Sequence, residues 1–314
     1  MNILFTSVGR RVELIQAFRN ASEKLNINLQ IYGVDISKTA PALSFCDHST
    51  IVHGINTNQY IPELQQICIE NNIDLLIPTI DTELMVIAQN KNIFGKTNVV
   101  VSKPEKIAIC CDKKYTANYF NSIGLKSPQV VDDWKEYRGK YPAFIKPKEG
   151  SSSISAYKVK NIDELKLFAE RVPDYIVQPF IDGVEYTVDI LCDFNGNPIF
   201  ITPRIRLAVR AGEVLKTQIS QDPKIIFEIK QLISDYKPCG QITVQLIRDR
   251  FTGEDYYIEI NPRFGGGAPL SIKAGANSAE MLLRLVNGEQ IGYIEKAAED
   301  GAIFSRYDQS IRLK

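Results

Sequence analysis

The first hundred residues alternate short apolar runs with segments of helical spacing, and this alternation constrains the fold more than any other feature. The predicted strands are residues 2–7, 31–36, 75–78 and 99–101. The predicted helices between them are residues 10–20, 60–70 and 81–89. Strands that alternate with helices form a parallel sheet with helices on both faces. We therefore predict an α/β fold that begins with a Rossmann-like parallel-sheet domain over residues 1–103.

The chain beyond residue 103 has a different pattern, in which some strands follow one another directly and others are separated by a helix. Strands are predicted at residues 143–146, 156–159, 175–178, 186–192, 198–202, 240–249 and 255–260, and helices at 113–122, 163–171 and 227–236. Asn195-Gly196 and Thr252-Gly253 are turn sequences that join adjacent strands into antiparallel hairpins. We predict an α+β region over 104–292 and a C-terminal segment, 293–314, that packs on it.

Composition excludes several classes of partner. The 37 basic and 37 acidic residues cancel, so no basic surface is expected to hold a nucleic acid. No stretch approaches the roughly 20 apolar residues that span a bilayer, and the N-terminus lacks the pattern of a signal peptide. We predict a cytoplasmic protein without membrane or nucleic-acid partners, and a homodimer as the default assembly.

Cysteine and histidine usage argues against a zinc site. The six cysteines are scattered without a CxxC pair, and the chain has two histidines. Cysteines in this pattern usually serve as small core residues. A metal would instead be held by carboxylate and amide oxygens, which magnesium prefers.

The segment YYIEINPRFGGG, residues 256–267, has the most chemical character. The alternation of a strand places Glu259 and Asn261 on one face and Ile258 and Ile260 on the other. Gln245 lies on the preceding strand and offers an amide oxygen to the same face if the hairpin is in register. Arg263 follows, and the glycines at 265–267 permit a close approach of the backbone to a ligand. The alternative is a polar stripe that faces solvent.

Two further segments suggest a nucleotide. Lys146 ends an apolar strand before the small-residue loop EGSSSIS, whose backbone amides could cover phosphates. Gln178 and Ile181 lie where a side chain and free backbone amides could meet an adenine edge, and Glu185 could accept hydrogen bonds from ribose hydroxyls. The alternative for the loop is an ordinary surface hairpin.

The order of these segments resembles the ATP-grasp superfamily. The resemblance is closest to the synthetase domains of the large subunit of carbamoyl-phosphate synthase and to single-domain relatives such as the ligase of pyrrolysine biosynthesis. Its specific part is Glu-Ile-Asn-Pro-Arg with an upstream glutamine, and SVGRRVELIQAF also looks like the opening of that subgroup. The resemblance implies an ATP-grasp fold of two α+β subdomains after the first domain.

The resemblance also implies a role for individual residues. The nucleotide-binding residues would be Lys113, Lys146, Ser151, Ser152, Ser153, Gln178, Ile181 and Glu185. The ligands of Mg²⁺ (or Mn²⁺) would be Gln245, Glu259 and Asn261. Arg263 would hold the carboxylate or acyl phosphate, and Arg206, Arg210 and Lys216 form a basic stretch near the transferred phosphate. Relatives often have a carboxylate where this chain has Gln245 and glycines where it has the serine-rich loop.

The function implied is that of an ATP-dependent ligase. Such an enzyme activates a small carboxylate as an acyl phosphate and passes it to an amine. The alternatives are an enzyme that uses bicarbonate, as carbamoyl-phosphate synthase or a carboxylase does, and a nucleotide-binding regulatory module without turnover. In the first domain a dinucleotide fingerprint is missing around Gly9. Thr79, Asp81 and Glu83 follow a strand end and could contact substrate, or could cap a helix.

Overall fold

The computed structural model describes residues 1–150 and 155–313. Its first part is a five-stranded sheet of β1 (Asn2–Thr6), β2 (Gln30–Asp35), β3 (His48–Ile51), β4 (Leu75–Pro78) and β5 (Asn98–Val99). The order is β3-β2-β1-β4-β5, and all four pairings are parallel. The helices here are α1 (Val12–Lys24), α2 (Tyr60–Glu70) and α3 (Asp81–Gln89). The predicted α/β fold is confirmed, and the predicted limits of α2, α3 and β4 coincide with the observed ones.

The interior strands of this sheet are apolar on both faces because both faces are covered. Every residue of β4 is buried, and so are four of the five residues of β1. The sequence pattern missed β3, whose four residues are all exposed. An edge strand with one covered side does not need an apolar run, so it leaves no periodic signal.

A small antiparallel sheet follows two helices. The helices are α4 (Pro104–Cys111) and α5 (Lys113–Ser122), and the sheet consists of β6 (Ala143–Pro147), β7 (Tyr157–Val159) and β8 (Tyr175–Pro179) in the order β7-β6-β8. The helix α6 (Ile162–Ala169) packs on it. Asp112 begins α5 by accepting hydrogen bonds from the backbone amides of Lys114 and Tyr115.

A larger antiparallel sheet has the order β13-β12-β9-β10-β11-β14. Its strands are β9 (Gly183–Cys192), β10 (Pro198–Arg210), β11 (Glu213–Ile219), β12 (Gln241–Asp249), β13 (Asp255–Asn261) and β14 (Ile303–Ser305). The helices of this region are α7 (Pro223–Tyr236), α8 (Ala268–Lys273) and α9 (Ser278–Val286). The two predicted hairpins are present. The sequence pattern missed β11 because its turn, Ala211-Gly212, combines two positive φ values without the usual Asn or Asp.

The apolar core joins the first sheet to the later helices. Phe18 of α1 contacts Phe5 of β1 and Phe264 edge-on, with ring centroids 5.2 and 6.1 Å apart. The same cluster includes residues of α8 and α9 such as Ile272 and Leu282. The limits 1–103, 104–292 and 293–314 stay predictions. In the described ranges, the helices are all too short or too polar to cross a membrane.

Candidate active site

The hairpin of β12 and β13 brings together three of the predicted polar side chains. Gln245 pairs directly with Glu259, and Thr243 pairs with Asn261. One carboxylate oxygen of Glu259 accepts hydrogen bonds from the amide nitrogens of Gln245, at 2.7 Å, and of Asn261, at 2.9 Å. The register on which the predicted juxtaposition depended is therefore present.

The predicted position of Ile258 is wrong because the hairpin contains a β-bulge. The register shifts between Gln245 and Leu246, whose partner is Tyr257, so Ile258 has no partner across the ladder. Tyr257 and Ile260 are buried in the core of the large sheet, whereas Ile258 lines a cavity together with Glu259. Strict alternation failed because the extra residue turns Ile258 toward the cavity.

One cavity, of about 500 Å³, lies between the two antiparallel sheets. We name it the lysine cavity after Lys113 and Lys146, which both line it. Its other polar lining includes Glu149, Glu185, Arg206, Gln245 and Glu259, and its apolar walls are Phe144, Tyr186, Val209, Leu246, Ile247 and Ile258. A cavity with both apolar walls and charged groups suits a small molecule with a flat part and a charged part.

Both lysines are placed to meet an anion. Lys146 is 7% exposed, and burial lowers the pKa of its ammonium to about 8, against the opposing attraction of Glu259. The Lys146 ammonium makes no hydrogen bond with the described residues. Burial also lowers the pKa of Lys113, which donates to the Gly150 carbonyl at 2.8 Å. Two poorly solvated ammonium groups beside one cavity favour a polyanionic ligand.

A second cavity, of about 380 Å³, lies on the other side of Glu259. We name it the arginine cavity, because Arg11, Arg204, Arg206 and Arg263 line it. Four residues line both cavities: Arg206, Gly212, Gln245 and Glu259. Two of the three predicted metal ligands, Gln245 and Glu259, and one arginine therefore lie where a group could pass from one cavity to the other, while Asn261 lines the arginine cavity only.

Arg206, at this junction, and Arg263, in the arginine cavity, both have N–H groups that form no hydrogen bond within the described part of the chain. Arg206 donates to the side-chain oxygen of Gln245 at 2.7 Å, and its Nε lies 3.5 Å from Glu185 without forming a hydrogen bond. Arg263 donates to Asp81 at 2.5 Å and to the Phe264 carbonyl, and its buried Nε has no hydrogen-bond partner among the described residues. Buried N–H groups without partners are rare, so these two favour an anionic ligand.

The predicted catalytic positions of Arg210 and Lys216 need correction. Arg210 is exposed at the end of β10 and forms an ion pair with Asp308 at 3.0 Å. Lys216 is exposed on β11. Neither residue lines either cavity. Arg206 is the residue of the basic stretch that lies at the junction of the two cavities.

The predicted adenine and ribose residues lie around the lysine cavity. Gln178 pairs with Phe144 across β6 and β8, so both side chains are on one face, and Phe144 lines the cavity. Ile181 follows β8 and is not part of the lining. Glu185 is half-exposed and lines the cavity directly. Ser151, Ser152 and Ser153 lie outside the described residues.

The three polar residues after β4 have different positions: one lines a cavity, and the other two, Thr79 and Glu83, are buried. Asp81 lines the arginine cavity. Glu83 is fully buried and accepts hydrogen bonds from Tyr60, Ser7 and the backbone amides of Thr79 and Ile80. Burial raises the pKa of Glu83. The helix-cap interpretation is correct for Glu83, while Thr79 is buried and contacts Ser7.

The glycine run approaches side chains of the protein. A Cβ atom on Gly265 would lie 2.8 Å from the Thr243 hydroxyl, and one on Gly267 would lie 2.6 Å from the guanidinium of Arg204. Packing within the fold therefore requires glycine at these two positions, and the predicted close approach of the backbone to a ligand stays a prediction. Arg204 and Arg11 also line the arginine cavity and are not among the predicted site residues, although Arg11 follows the first strand, at the ligand-binding edge of a parallel sheet.

Residues 110–267, half of the chain, match the ATP-grasp domain family. The chain belongs to the ATP-grasp family. Residues 3–102 match a second family, the N-terminal domain of PylC-like proteins. The resemblance inferred from the motifs is therefore confirmed for the family.

Named relatives of this ATP-grasp protein include two enzymes. A carbamoyl-phosphate synthase of Methanobrevibacter smithii is 25% identical over 149 residues, which cover 44% of this chain and 40% of that protein. The 3-methyl-D-ornithine–L-lysine ligase of Methanosarcina mazei is 25% identical over 225 residues, 71% of this chain and 57% of that protein. The chain thus spans about half the length of these relatives.

Solved structures support the fold. The biotin carboxylase domain of the 2-oxoglutarate carboxylase of Hydrogenobacter thermophilus, in complex with MgADP, ADP and bicarbonate, superposes with a TM-score of 0.78. The match covers 96% of this chain and 73% of that one at 17% identity. At this identity the likeness shows the shared fold alone.

The donor set at the junction fits magnesium. Within residues 1–150 and 155–313, no three His, Cys, Asp or Glu side chains form a metal-binding group. Glu259 would be the carboxylate ligand, with amide oxygens from Gln245 and Asn261. Protein-bound Mg²⁺ usually has one or two carboxylates and completes its shell with phosphate and water. Both amides present nitrogen to Glu259, so ligation requires them to turn their oxygens toward the ion.

Proposed function

We propose that this ATP-grasp protein is an ATP-dependent ligase that activates a small carboxylate as an acyl phosphate and transfers the acyl group to an amine. The observation that supports this most is the position of Glu259, Gln245 and Arg206 between the lysine cavity and the arginine cavity. A phosphoryl group that leaves a nucleotide in the first cavity meets a carboxylate in the second at this point.

The residues of the chain have separate parts in this reaction. Lys113 and Lys146 hold the nucleotide phosphates, with Phe144, Gln178 and Ile181 toward the base and Glu185 toward the ribose. Arg263 orients the carboxylate through its planar fork. Glu259, Gln245 and Asn261 would hold Mg²⁺, which offsets negative charge on the transferred phosphoryl group. The name of one relative, 3-methyl-D-ornithine–L-lysine ligase, supports both reactants, since the two amino acids in that name carry carboxylate and amine groups.

The two steps balance without a covalent bond to the enzyme. A carboxylate oxygen attacks the terminal phosphorus and ADP leaves with the bonding electron pair. The amine nitrogen then attacks the acyl carbon, inorganic phosphate leaves, and the nitrogen gives up a proton to form the amide. Acceleration comes from position and charge stabilisation. The arginine cavity is far larger than an anion the size of bicarbonate, which favours an organic carboxylate. A homodimer stays a prediction.

Replacing Glu259 by Gln tests the proposal. We expect a folded protein whose ADP release falls by about a hundredfold or more, because the carboxylate ligand of the metal is lost. The measurement is ADP release with Mg²⁺ across a panel of carboxylates and amines. Glu254→Gln, at the exposed turn of the same hairpin, is the matched control. Near wild-type ADP release by Glu259→Gln would contradict the metal assignment and the proposed function.

A further inference from the structure

Arg11 stands on the wall between the arginine cavity and a third cavity. This third cavity, of about 270 Å³, is formed by the turn between β1 and α1, Gly265, Gly266 and Arg306, and we name it the turn cavity. It shares Arg11, Ile80, Glu213, Gly265 and Gly266 with the arginine cavity. The three cavities therefore follow one another, with Glu259 at the first boundary and Arg11 at the second.

The guanidinium of Arg11 uses one of its donors within the described part of the chain. Its Nη2 donates to the Thr79 carbonyl at 2.9 Å. The neighbouring carboxylates are engaged elsewhere: Asp81 is paired with Arg263, and Glu213 lies 3.1 Å from Arg306. Arg11 lines both cavities, and its other side-chain N–H groups make no hydrogen bond with the described residues.

The surroundings of Arg11 favour an added negative charge. Burial and the nearby guanidinium of Arg263 lower the pKa of Arg11 to about 10, against the opposing attraction of Glu213 and Asp81. Arg263 has Asp81 as its ion-pair partner, whereas Arg11 has no ion pair of its own among the described residues, so an anion at Arg11 reduces the repulsion between the two guanidinium groups. Arg206 belongs to the other boundary, where its charged neighbours are Glu185, Arg204 and Glu259.

The support behind Arg11 is rigid. The Thr79 amide donates to the buried Glu83 at 2.7 Å, and the Thr79 hydroxyl donates to the Ser7 carbonyl at 2.7 Å. The carbonyl that holds Arg11 is therefore fixed from both sides. A cation fixed before binding loses little conformational entropy when it captures a ligand.

We propose that Arg11 binds a second anionic group of the acyl substrate, so that the preferred substrates are dicarboxylates and not simple monocarboxylates. This inference rests on the proposed function. The reacting carboxylate is oriented by Arg263 and lies next to Glu259 and Arg206, where the phosphoryl group arrives. The other lies at the boundary of Arg11 and receives two-point hydrogen bonds from its fork.

Matched acids that differ by one carboxylate test the inference. The pairs are succinate with butyrate, and L-glutamate with 4-aminobutyrate, each with MgATP and with hydroxylamine as the amine that traps the acyl phosphate. We expect kcat/KM for the dicarboxylate of at least one pair to exceed that of its partner about tenfold or more, as for a charged hydrogen bond. Turnover of the monocarboxylates with no preference in either pair would overturn the inference and leave the proposed function standing. No ADP release with any acid would count against the proposed function itself.

Replacing Arg11 by Gln tests whether Arg11 is the residue that binds the second carboxylate. We expect KM for the preferred dicarboxylate to rise about tenfold or more, with KM for ATP and for the monocarboxylate changed within about twofold. Arg19→Gln is the matched control, because Arg19 lies on the helix that Arg11 precedes, pairs with Asp47 and lines none of the three cavities. If Arg11→Gln fails to fold, Arg11→Lys keeps the charge without the fork and should raise the same KM by a smaller factor. An equal rise in KM for the dicarboxylate and for its matched monocarboxylate would overturn the inference.

Discussion

At the scale of single residues, two basic side chains with little contact to water border the proposed active site. Lys146 and Arg206 are both nearly buried, and each borders the cavity that contains Glu259. Buried charges without full pairing weaken a fold, so their cost is offset where a ligand of opposite charge binds. Such residues mark a binding site more reliably than surface lysines do.

Lys146 makes nucleotide affinity depend on pH. Its pKa of about 8 arises from burial, and bound phosphates favour the charged form and so raise this pKa. Above pH 8 the free protein has lost the proton that the complex retains, so binding takes up a proton. We expect affinity for MgATP to fall as pH rises from 7 to 9.5, by up to about tenfold per pH unit above 8.

Calorimetry in two buffers of different ionisation enthalpy measures this proton uptake. Lys146→Arg keeps its charge over the whole range and should remove the contribution of residue 146. Lys113→Arg is the companion variant, because burial also lowers the pKa of Lys113. A pH profile of Lys146→Arg with the slope of wild type would contradict the assignment.

At the scale of elements, a buried polar cluster ties the large sheet to α8. The carboxylate of Asp189 on β9 accepts hydrogen bonds from Arg204 on β10 at 2.8 Å, Thr243 on β12 at 3.1 Å and Ser271 on α8 at 2.6 Å. Asp189 and Arg204 are 1% and 2% exposed. Because Arg204 also lines the arginine cavity, this cluster fixes the wall of the site.

Asp189→Asn should destabilise the fold strongly. The substitution leaves the charge of Arg204 buried without a counterion, which costs about 3–5 kcal/mol in comparable cases. The free energy of unfolding in urea measures the effect. Glu289→Gln, which breaks the exposed pair with Arg284, is the control and should cost less than about 1 kcal/mol. A loss for Asp189→Asn as small as the control would refute the structural importance of the cluster.

At the scale of the whole molecule, the small sheet and the parallel sheet differ in the cores on which they pack. The parallel sheet shares its core with α8 and α9, whereas the small sheet has a separate core. That core consists of Tyr137, Ala143, Ile145, Val159, Leu165 and Val177. A unit with few buried apolar contacts opens at lower free energy than the rest of a protein.

The single tryptophan reports on this unit. Trp134 packs against the core of the small sheet, so its fluorescence follows that sheet alone. We expect the fluorescence midpoint in urea to lie below the midpoint from far-ultraviolet circular dichroism. MgADP should narrow the gap, because a nucleotide in the lysine cavity contacts both antiparallel sheets. Coincident midpoints without nucleotide would show that the small sheet unfolds with the whole molecule.

The sequence by itself determined the features that depend on neighbouring residues. Strand–helix alternation predicted the parallel sheet, and Thr252-Gly253 set the hairpin in which Gln245 faces Glu259. The ATP-grasp family followed from motifs that share one strand or one loop. These features are local because periodicity and turn chemistry act over a few residues.

The tertiary structure alone decided which distant residues meet. Arg11 lines the same cavity as Arg263, and Arg206 reaches the junction while Arg210 turns to Asp308. The bulge that turns Ile258 into the lysine cavity also has no sequence signature, since it depends on pairing with a partner strand. Contacts between distant segments are fixed by the packing of whole elements, and the spacing of residues along the chain does not encode that packing.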